Sequence, residues 1–183
     1  MKNILMVCGS LREKSFNRQL MEAIEAELAG RAEVQELGYA GLPWMNQDSE
    51  FPAPAEVQLM RDELGWADGI WFVCPEYNGF FPGHVKNLVD WLSRPMVAGD
   101  YSTVAIAGKH ATVSGCAGKS GSRTMQGQLV TLLTSVRAQV MDEPTVAVVI
   151  PGQSWASDVL ELTDADRDAI RAQVDAFLAV LEA

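Results

Sequence analysis

The sequence predicts an α/β fold: a doubly wound sheet of five parallel strands with helices packed on both faces. The first observation is a set of short apolar runs, such as residues 4–8 and 69–74, in which polar and apolar side chains do not alternate. The second is the helical spacing of apolar residues in the segments that follow. The third is that strand and helix alternate about five times, with no internal repeat. Apolar strands joined through helices form buried parallel sheets.

Length and composition restrict the class of protein. With 183 residues, 48% of them hydrophobic and 21% charged, the chain can form one domain with a substantial core, and we expect a single domain over residues 1–183. The net charge of −10 argues against nucleic acid or an anionic membrane as the main partner. No apolar run approaches the ~20 residues that span a bilayer, and no signal-like segment opens the chain. Three cysteines without metal-ligand spacing predict a reduced, cytoplasmic location.

The first strand and helix are joined by a loop with the residues of a phosphate site. Residues 4–8 are the strand, and Phe16 begins a helical pattern that ends at Gly30. The amino end of a helix has unpaired N–H groups and favours an anion. The loop adds two hydroxyls, a guanidinium and an amide, from Ser10, Ser15, Arg12 and Asn17. Taken alone, the loop is equally consistent with an ordinary turn in which Ser15 caps the helix and Arg12 is solvated.

A long loop follows the second strand, which we place at residues 32–37. Residues 38–54 are rich in glycine, proline and aromatic side chains and show no regular period. Trp44, Met45 and Phe51 are large apolar groups that either pack on the core or contact another subunit. The sequence leaves both alternatives open.

The middle of the chain continues the alternation. A helix is predicted over residues 56–67, a third strand over 69–74, and a helix from His84 that stops before Pro95. Between the last two lies a stretch dense in turn residues, 75–83. Residues 96–108 are ambiguous, with 103–107 as a candidate extended segment.

The last third predicts the remaining elements. Residues 109–115 form a fourth strand, a glycine- and serine-rich loop spans 115–122, and a helix then follows. The last strand lies within 138–150, where Asp142-Glu143-Pro144 interrupts it. Thr163 and Asp166 predict a capping box at the start of the final helix. In such sheets ligands bind beyond the carboxyl ends of the strands, so the three loops should converge there.

Two other kinds of site are excluded. Gly118-Lys119-Ser120 resembles half of a P-loop, but that motif needs a glycine five positions before Gly118, where this chain has Val113. The only two histidines, His84 and His110, have no carboxylate or cysteine at ligand spacing, so no metal site is predicted.

The first two loops together resemble the NADPH-dependent FMN reductase family. The matching pattern is Gly9-Ser10-x-Arg12-x-x-Ser15-x-Asn17, followed by Pro75-Glu76-Tyr77-Asn78-Gly79 and Pro82-Gly83-x-x-Lys86-Asn87-x-x-Asp90-Trp91. The resemblance implies a flavodoxin-like fold, bound FMN, and NADPH or NADH as hydride donor. The family includes quinone, azo and chromate reductases.

The resemblance also implies a role for each loop. The FMN phosphate would be held by Ser10, Arg12, Ser15 and Asn17 with backbone help from Phe16. The edge of the isoalloxazine ring would be lined by Pro75, Glu76, Tyr77, Asn78 and Gly79, and its other side by Ser114, Gly115 and Gly118. The third loop departs from the family at Cys116 and at Gly121-Ser122. If it covers the ring, the Cys116 thiol should react faster with alkylating reagents when FMN is absent. Cys8 and Cys74 end apolar runs and should stay inert in both states.

We therefore expect an FMN-dependent oxidoreductase that passes hydride from NAD(P)H to a small acceptor such as free flavin, a quinone or an azo compound. No catalytic side chain is needed, because the protein binds, orients and tunes the cofactor. The resemblance further implies a homodimer or homotetramer. Two alternatives stay open: a flavodoxin-type electron carrier without enzymatic activity, and an interaction module that keeps the fold without flavin.

Overall fold

A computed structural model describes residues 1–183. Its strands and helices alternate through most of the chain, and one short 3₁₀ turn, Gln47–Ser49, lies in the long loop. The strands are β1 Lys2–Cys8, β2 Ala32–Glu36, β3 Gly69–Val73, β4 Pro95–Val97, β5 Asp100–Val104, β6 His110–Ala117, β7 Gln139–Met141 and β8 Ala147–Val149. The helices are α1 Phe16–Leu28, α2 Ala55–Trp66, α3 Gly83–Leu92, α4 Arg123–Ser135, α5 Ser154–Ser157 and α6 Asp164–Glu182.

The central sheet is parallel and has six strands instead of the five expected. Its order is β2-β1-β3-β6-β7, and β8 also pairs with β6. The two last strands occupy the same side of β6: β7 pairs with His110–Thr112 and β8 with Gly115–Ala117. The expected fifth strand is thus split where the sequence places Asp142-Glu143-Pro144. Proline has no backbone N–H to donate to a neighbouring strand, so the strand is interrupted at Pro144 and its acidic neighbours.

Helices cover both faces of the sheet, as the apolar strands predict. On one face α1 and α6 enclose a core that includes Trp71 and Phe177, whose rings meet edge-on at 5.2 Å between centroids. On the other face α2, α3 and α4 bury a second core around Phe72 and Trp91. All five residues of β3 are buried. A ligand can therefore meet β3 only at one of its ends, and in open parallel sheets ligands bind at the carboxyl ends of the strands.

The ambiguous residues 96–108 lie in and beyond a hairpin. Strands β4 and β5 pair antiparallel and form a separate two-stranded sheet. The turn contains Gly99 at φ 78°, a conformation that glycine adopts without steric cost. Residues 105–107, the end of the candidate extended segment, lie outside any strand.

The three large apolar side chains of the long loop 38–54 differ in their surroundings. Met45 packs against the core, whereas Trp44 is 74% exposed and Phe51 is 45% exposed. The backbone near Met45 is fixed by Asn87, whose amide donates to the Pro43 carbonyl at 3.0 Å and accepts from Met45 N at 2.8 Å. The loop is therefore held to α3 while its two aromatic rings face outward.

The final helix begins with the expected capping box. The Thr163 hydroxyl accepts from the Asp166 amide at 3.2 Å, and the Asp166 carboxylate accepts from the Thr163 amide at 2.9 Å. None of the helices combines the length and apolar character that crossing a bilayer would require.

Candidate functional site

The carboxyl ends of β1, β3 and β6 converge on a cavity of about 180 Å³. All three loops expected to meet at this edge of the sheet contribute to its wall. A fourth segment, the one after β8, closes the remaining side. The cavity is lined by Ser10, Arg12, Ser15, Phe16, Asn17, Pro75, Glu76, Tyr77, Cys116, Ala117, Gly118, Ile150 and Trp155.

The amino end of α1 supplies the donors of an anion site. Ser15 is the N-cap, and its hydroxyl accepts from the Arg18 amide at 3.2 Å. The amides of Phe16 and Asn17, in the first turn, have no partner within the helix. Ser10 is buried, and its hydroxyl lies 3.4 Å from the Arg12 amide. Unpaired amides, two hydroxyls and the positive end of the helix together favour a phosphate.

Arg12 forms an ion pair, although its side chain is still 46% exposed. Its Nη2 contacts Oδ1 of Asp158, and its Cζ lies 5.3 Å from the centroid of the Phe16 ring. Lys14 reaches the other carboxylate oxygen of Asp158 at 3.3 Å. The Arg12 hydrogen bond, with a smaller contribution from Lys14, holds the pKa of the Asp158 carboxyl below its usual value. Ser15 therefore caps the helix, as in an ordinary turn, but Arg12 also has a partner within the protein.

Asn17 lines the cavity, but its side chain is used within the protein. Nδ2 donates to the Cys116 carbonyl at 3.1 Å, and Oδ1 accepts from the Cys116 amide at 3.0 Å. The amide group is thus satisfied by β6. Asn17 can therefore contribute only its backbone N–H to the anion site. Its side chain holds the third loop against α1.

The second loop forms a rigid wall through a tight turn. Tyr77 and Phe80 exchange two backbone hydrogen bonds of 2.9 and 3.1 Å, and Asn78 and Gly79 between them have φ of 55° and 77°. Two positive φ angles in an Asn-Gly pair define a type I′ hairpin turn. Pro75, Glu76 and Tyr77 line the cavity, whereas Asn78 and Gly79 form the tip of the turn outside it.

Glu76 connects this wall to the next one. Its Oε2 accepts from the Met125 amide at 3.1 Å in the first turn of α4. The N-cap of that helix, Ser122, makes no capping hydrogen bond with its side chain, so the Glu76 carboxylate satisfies an otherwise open backbone donor. Glu76 thereby fixes the second loop relative to the third.

The predicted residues of β6 lie at different depths. Ser114 is fully buried in the strand, where its hydroxyl accepts from Trp71 Nε1 and donates to Gln173 Oε1, both at 2.8 Å. A Cβ on Gly115 would overlap the Cys74 carbonyl oxygen, so this glycine permits close approach of two strands. Neither residue reaches the cavity wall. Gly118 does, and it has open space where a Cβ would be.

All three cysteine side chains are buried and free. Burial raises the thiol pKa of Cys8, Cys74 and Cys116 above its ordinary value. Cys116 lies near the end of β6 beside the cavity, but it has no exposed surface. The expectation that its thiol becomes reactive without FMN conflicts with this placement, because a neutral, inaccessible thiol is a poor nucleophile.

The segment after β8 also reaches the cavity, and no sequence pattern assigned its side chains to the site. Ile150 and Trp155 line the cavity, and Asp158 engages Arg12. Pro151-Gly152 directly after an apolar run was a signal that another loop reaches the same edge. A lone tryptophan and an aspartate in a polar stretch carry no pattern that would assign them to a site 140 residues away.

A doubly wound parallel sheet with an anion site where its first strand meets its first helix defines a flavodoxin-like, mononucleotide-binding protein. The sequence profile of the NADPH-dependent FMN reductase family matches residues 2–151. The chain therefore belongs to that family, and the resemblance seen in its two motifs is confirmed.

Full-length relatives agree with the family match. A quinone reductase from Pseudomonas putida is 33% identical, and the alignment covers 96% of this chain and 92% of that protein. An NAD(P)H-dependent FMN reductase from Pseudomonas aeruginosa is 30% identical, and the alignment covers 94% of this chain and 91% of that protein. The structure of the flavoenzyme NAD(P)H:(acceptor) oxidoreductase FerB from Paracoccus denitrificans superposes with a TM-score of 0.87 at 30% identity, covering 100% of this chain and 98% of that one. The flavodoxin-like fold is confirmed by this neighbour.

Proposed function

We propose that this chain binds FMN in the cavity at the carboxyl edge of the sheet and passes hydride equivalents from NAD(P)H to a quinone or a similar small acceptor. As a member of the FMN reductase family it is an NAD(P)H-dependent oxidoreductase. The observation that carries the proposal is the meeting of the two motif-bearing loops and the third loop at one cavity. We further propose that residues 1–183 form one domain and that the protein acts in the cytoplasm.

The residues around the cavity fit the phosphate of FMN. The unpaired amides of Phe16 and Asn17, the Ser10 and Ser15 hydroxyls and the Arg12 guanidinium would hold it. The molecule as a whole carries a net charge of −10, so a dianionic group needs these local donors to overcome the global field. Ser15 can serve both as N-cap and as ligand, because a hydroxyl carries one donor and two acceptor sites.

The residues at the other end fit a flat aromatic ring. The third loop presents Ala117 and Gly118, and no aromatic side chain of residues 115–122 is available to cover the ring. Tyr77 and Trp155, which both line the cavity, are about half exposed, at 49% and 58%, so the cavity is open to solvent. Bound FMN would supply the hydride chemistry, and the chain would bind and orient it while leaving one face accessible.

The proposed hydride transfer requires no general base among the side chains of the cavity. Glu76 is engaged with the α4 amino end, and the Cys116 thiol is buried. Hydride transfer needs neither group as a proton carrier. The chain's contribution is therefore placement of the cofactor and control of access to it.

A quinone is proposed as acceptor because the relatives that match over their full length include a quinone reductase. The open cavity also favours alternate binding of donor and acceptor at one face. The competing function, a flavodoxin-type electron carrier, needs no room for nicotinamide. The open wall beside Gly118 argues against it.

The deciding experiment is anaerobic reduction of the FMN complex by NADPH or NADH. We expect either dinucleotide to bleach the flavin directly and a soluble benzoquinone to restore its absorbance. Free FMN at the same concentration is the control. If dithionite reduces the bound flavin but neither dinucleotide does, the carrier function replaces the proposed one.

Self-association is proposed from the exposed aromatic side chains of the long loop. Trp44 and Phe51 remain exposed although the backbone around them is fixed to α3. A second copy of the chain would remove both rings from water, giving a homodimer or a homotetramer. Sedimentation analysis should show a species at least twice the monomer mass, and Trp44→Ser should shift it toward monomer. A monomeric wild type would overturn this part of the proposal.

A further inference from the structure

The segment after β8 is fixed to α1 by contacts independent of its ion pair. Gln19 Nε2 donates to the Asp158 carbonyl at 2.9 Å, and Gln19 Oε1 accepts from the Leu160 amide at 2.8 Å. Trp155 meets the Phe16 ring edge-on, with centroids 5.0 Å apart. Most of this segment lies beyond residues 2–151, the part that the family profile matches. The Asp158 backbone is therefore anchored whether or not its side chain has a partner.

An anchored backbone gives the Asp158 carboxylate a defined position beside Arg12. Asp158 has φ 57° at the carboxyl end of α5, which directs its side chain back toward the first loop. Only Nη2 of Arg12 contacts the carboxylate, so the other donors of its five-donor fork remain available. The face of the guanidinium is occupied by the Phe16 ring. The cation is thus oriented from two sides.

The charges at this position still favour an anion. Arg12 and Lys14 share the single carboxylate of Asp158, so these three side chains together carry one net positive charge. A phosphate can therefore bind the free edge of Arg12 without displacing Asp158.

We propose that Asp158 is a positioning residue: it holds the Arg12 guanidinium in the orientation that binds the FMN phosphate. This inference rests on the proposed function, because it assumes that the phosphate binds at the amino end of α1. It assigns a role in cofactor binding to a residue outside the two motifs. The carboxylate acts through Arg12 and does not touch the phosphate.

The test uses Asp158→Gly, because glycine adopts the positive φ without strain and removes only the side chain. FMN affinity is measured by equilibrium dialysis of the flavin-loaded protein, and riboflavin affinity by titration of the stripped protein. We expect Asp158→Gly to weaken FMN binding about three- to fivefold, the upper range for an exposed ion pair, and to leave riboflavin binding unchanged. Asp158→Asn keeps an acceptor oxygen and tolerates positive φ, so it should restore affinity to within about twofold.

Two controls separate positioning from other roles. Asp175→Ala breaks another surface ion pair, the one with Arg31 beyond the carboxyl end of α1, and it should leave FMN affinity unchanged. In an Arg12→Ala background, Asp158→Gly should have no further effect on FMN.

Three results would overturn the inference. Tighter FMN binding by Asp158→Gly would show that the carboxylate competes with phosphate. Equal losses for FMN and riboflavin would show that it only holds the segment in place. Unchanged FMN affinity would show that Arg12 needs no orientation. Failure of the wild type itself to bind FMN would instead refute the proposed function.

Discussion

The side-chain amide of Asn17 forms two hydrogen bonds with the backbone of Cys116, at 3.1 and 3.0 Å, although the two residues are 99 positions apart in sequence. This pair joins the first turn of α1 to the last residues of β6. Both partners are buried, at 3% and 0% exposure, so water cannot replace the two bonds. The motif residue Asn17 therefore fixes the relative position of the phosphate end and the ring side of the cavity.

Replacing Asn17 should therefore cost stability as well as affinity. Asn17→Ala leaves a buried N–H and a buried carbonyl without partners, and we expect the free energy of unfolding to fall by about 2–3 kcal/mol. Urea denaturation measures it. Asn46→Ala is the control, because Asn46 caps an exposed 3₁₀ turn and should cost no more than about 1 kcal/mol. Equal losses of unfolding free energy in the two variants would show that the buried contact stabilises the protein no more than an exposed cap does.

Arg12→Ala should weaken FMN binding by about 1–2 kcal/mol. A charged hydrogen bond to phosphate contributes more than a neutral one, but the Arg12 side chain is 46% exposed and partly screened. Riboflavin, which lacks the phosphate, should bind the variant and the wild type alike. Fluorescence titration with both flavins distinguishes these cases. An unchanged FMN affinity would mean that Arg12 serves only its pair with Asp158.

Substitution by alanine should lower the stability of the protein at Gly115 and leave it unchanged at Gly118. At Gly115 the new Cβ would lie 2.6 Å from Ser122 Oγ and overlap the Cys74 carbonyl, and we expect a loss of about 1–3 kcal/mol in stability. At Gly118 nothing lies within 4 Å, so the fold should be retained. Thermal unfolding tests both, and FMN titration of Gly118→Ala then reports whether the ring approaches this wall. A stable Gly115→Ala protein would contradict the close strand approach.

The three thiols should all resist alkylation in the native protein, with or without FMN. Burial removes access and raises each thiol pKa, so little thiolate is present at neutral pH. Mass spectrometry after iodoacetamide treatment measures the labelling of each cysteine, and unfolding in urea supplies the fully labelled control. Rapid labelling of Cys116 in the stripped protein alone would restore the expectation drawn from its place in the third loop.

Much of the fold follows from local patterns. The apolar runs predict the buried strands, and the spacing from Phe16 to Leu28 and the Thr163–Asp166 box predict helices, because burial and capping depend on near neighbours in sequence. The strand count was wrong for a local reason too. Pro144 and its acidic neighbours interrupt the last strand, but only pairing with two different parts of β6 shows that both halves remain in the sheet.

Sequence alone also determined the family, because two loops with specific residue types at fixed spacing suffice to recognise it. The tertiary structure alone decided how those residues are used. Asn17 binds protein backbone, Ser114 lies inside the sheet, and Arg12 meets Asp158. The physical reason is that a side chain's partner is set by which strand ends become neighbours, through contacts as distant as 146 residues in the chain. No local pattern encodes that neighbourhood, so the walls of the cavity become visible only when the sheet is assembled.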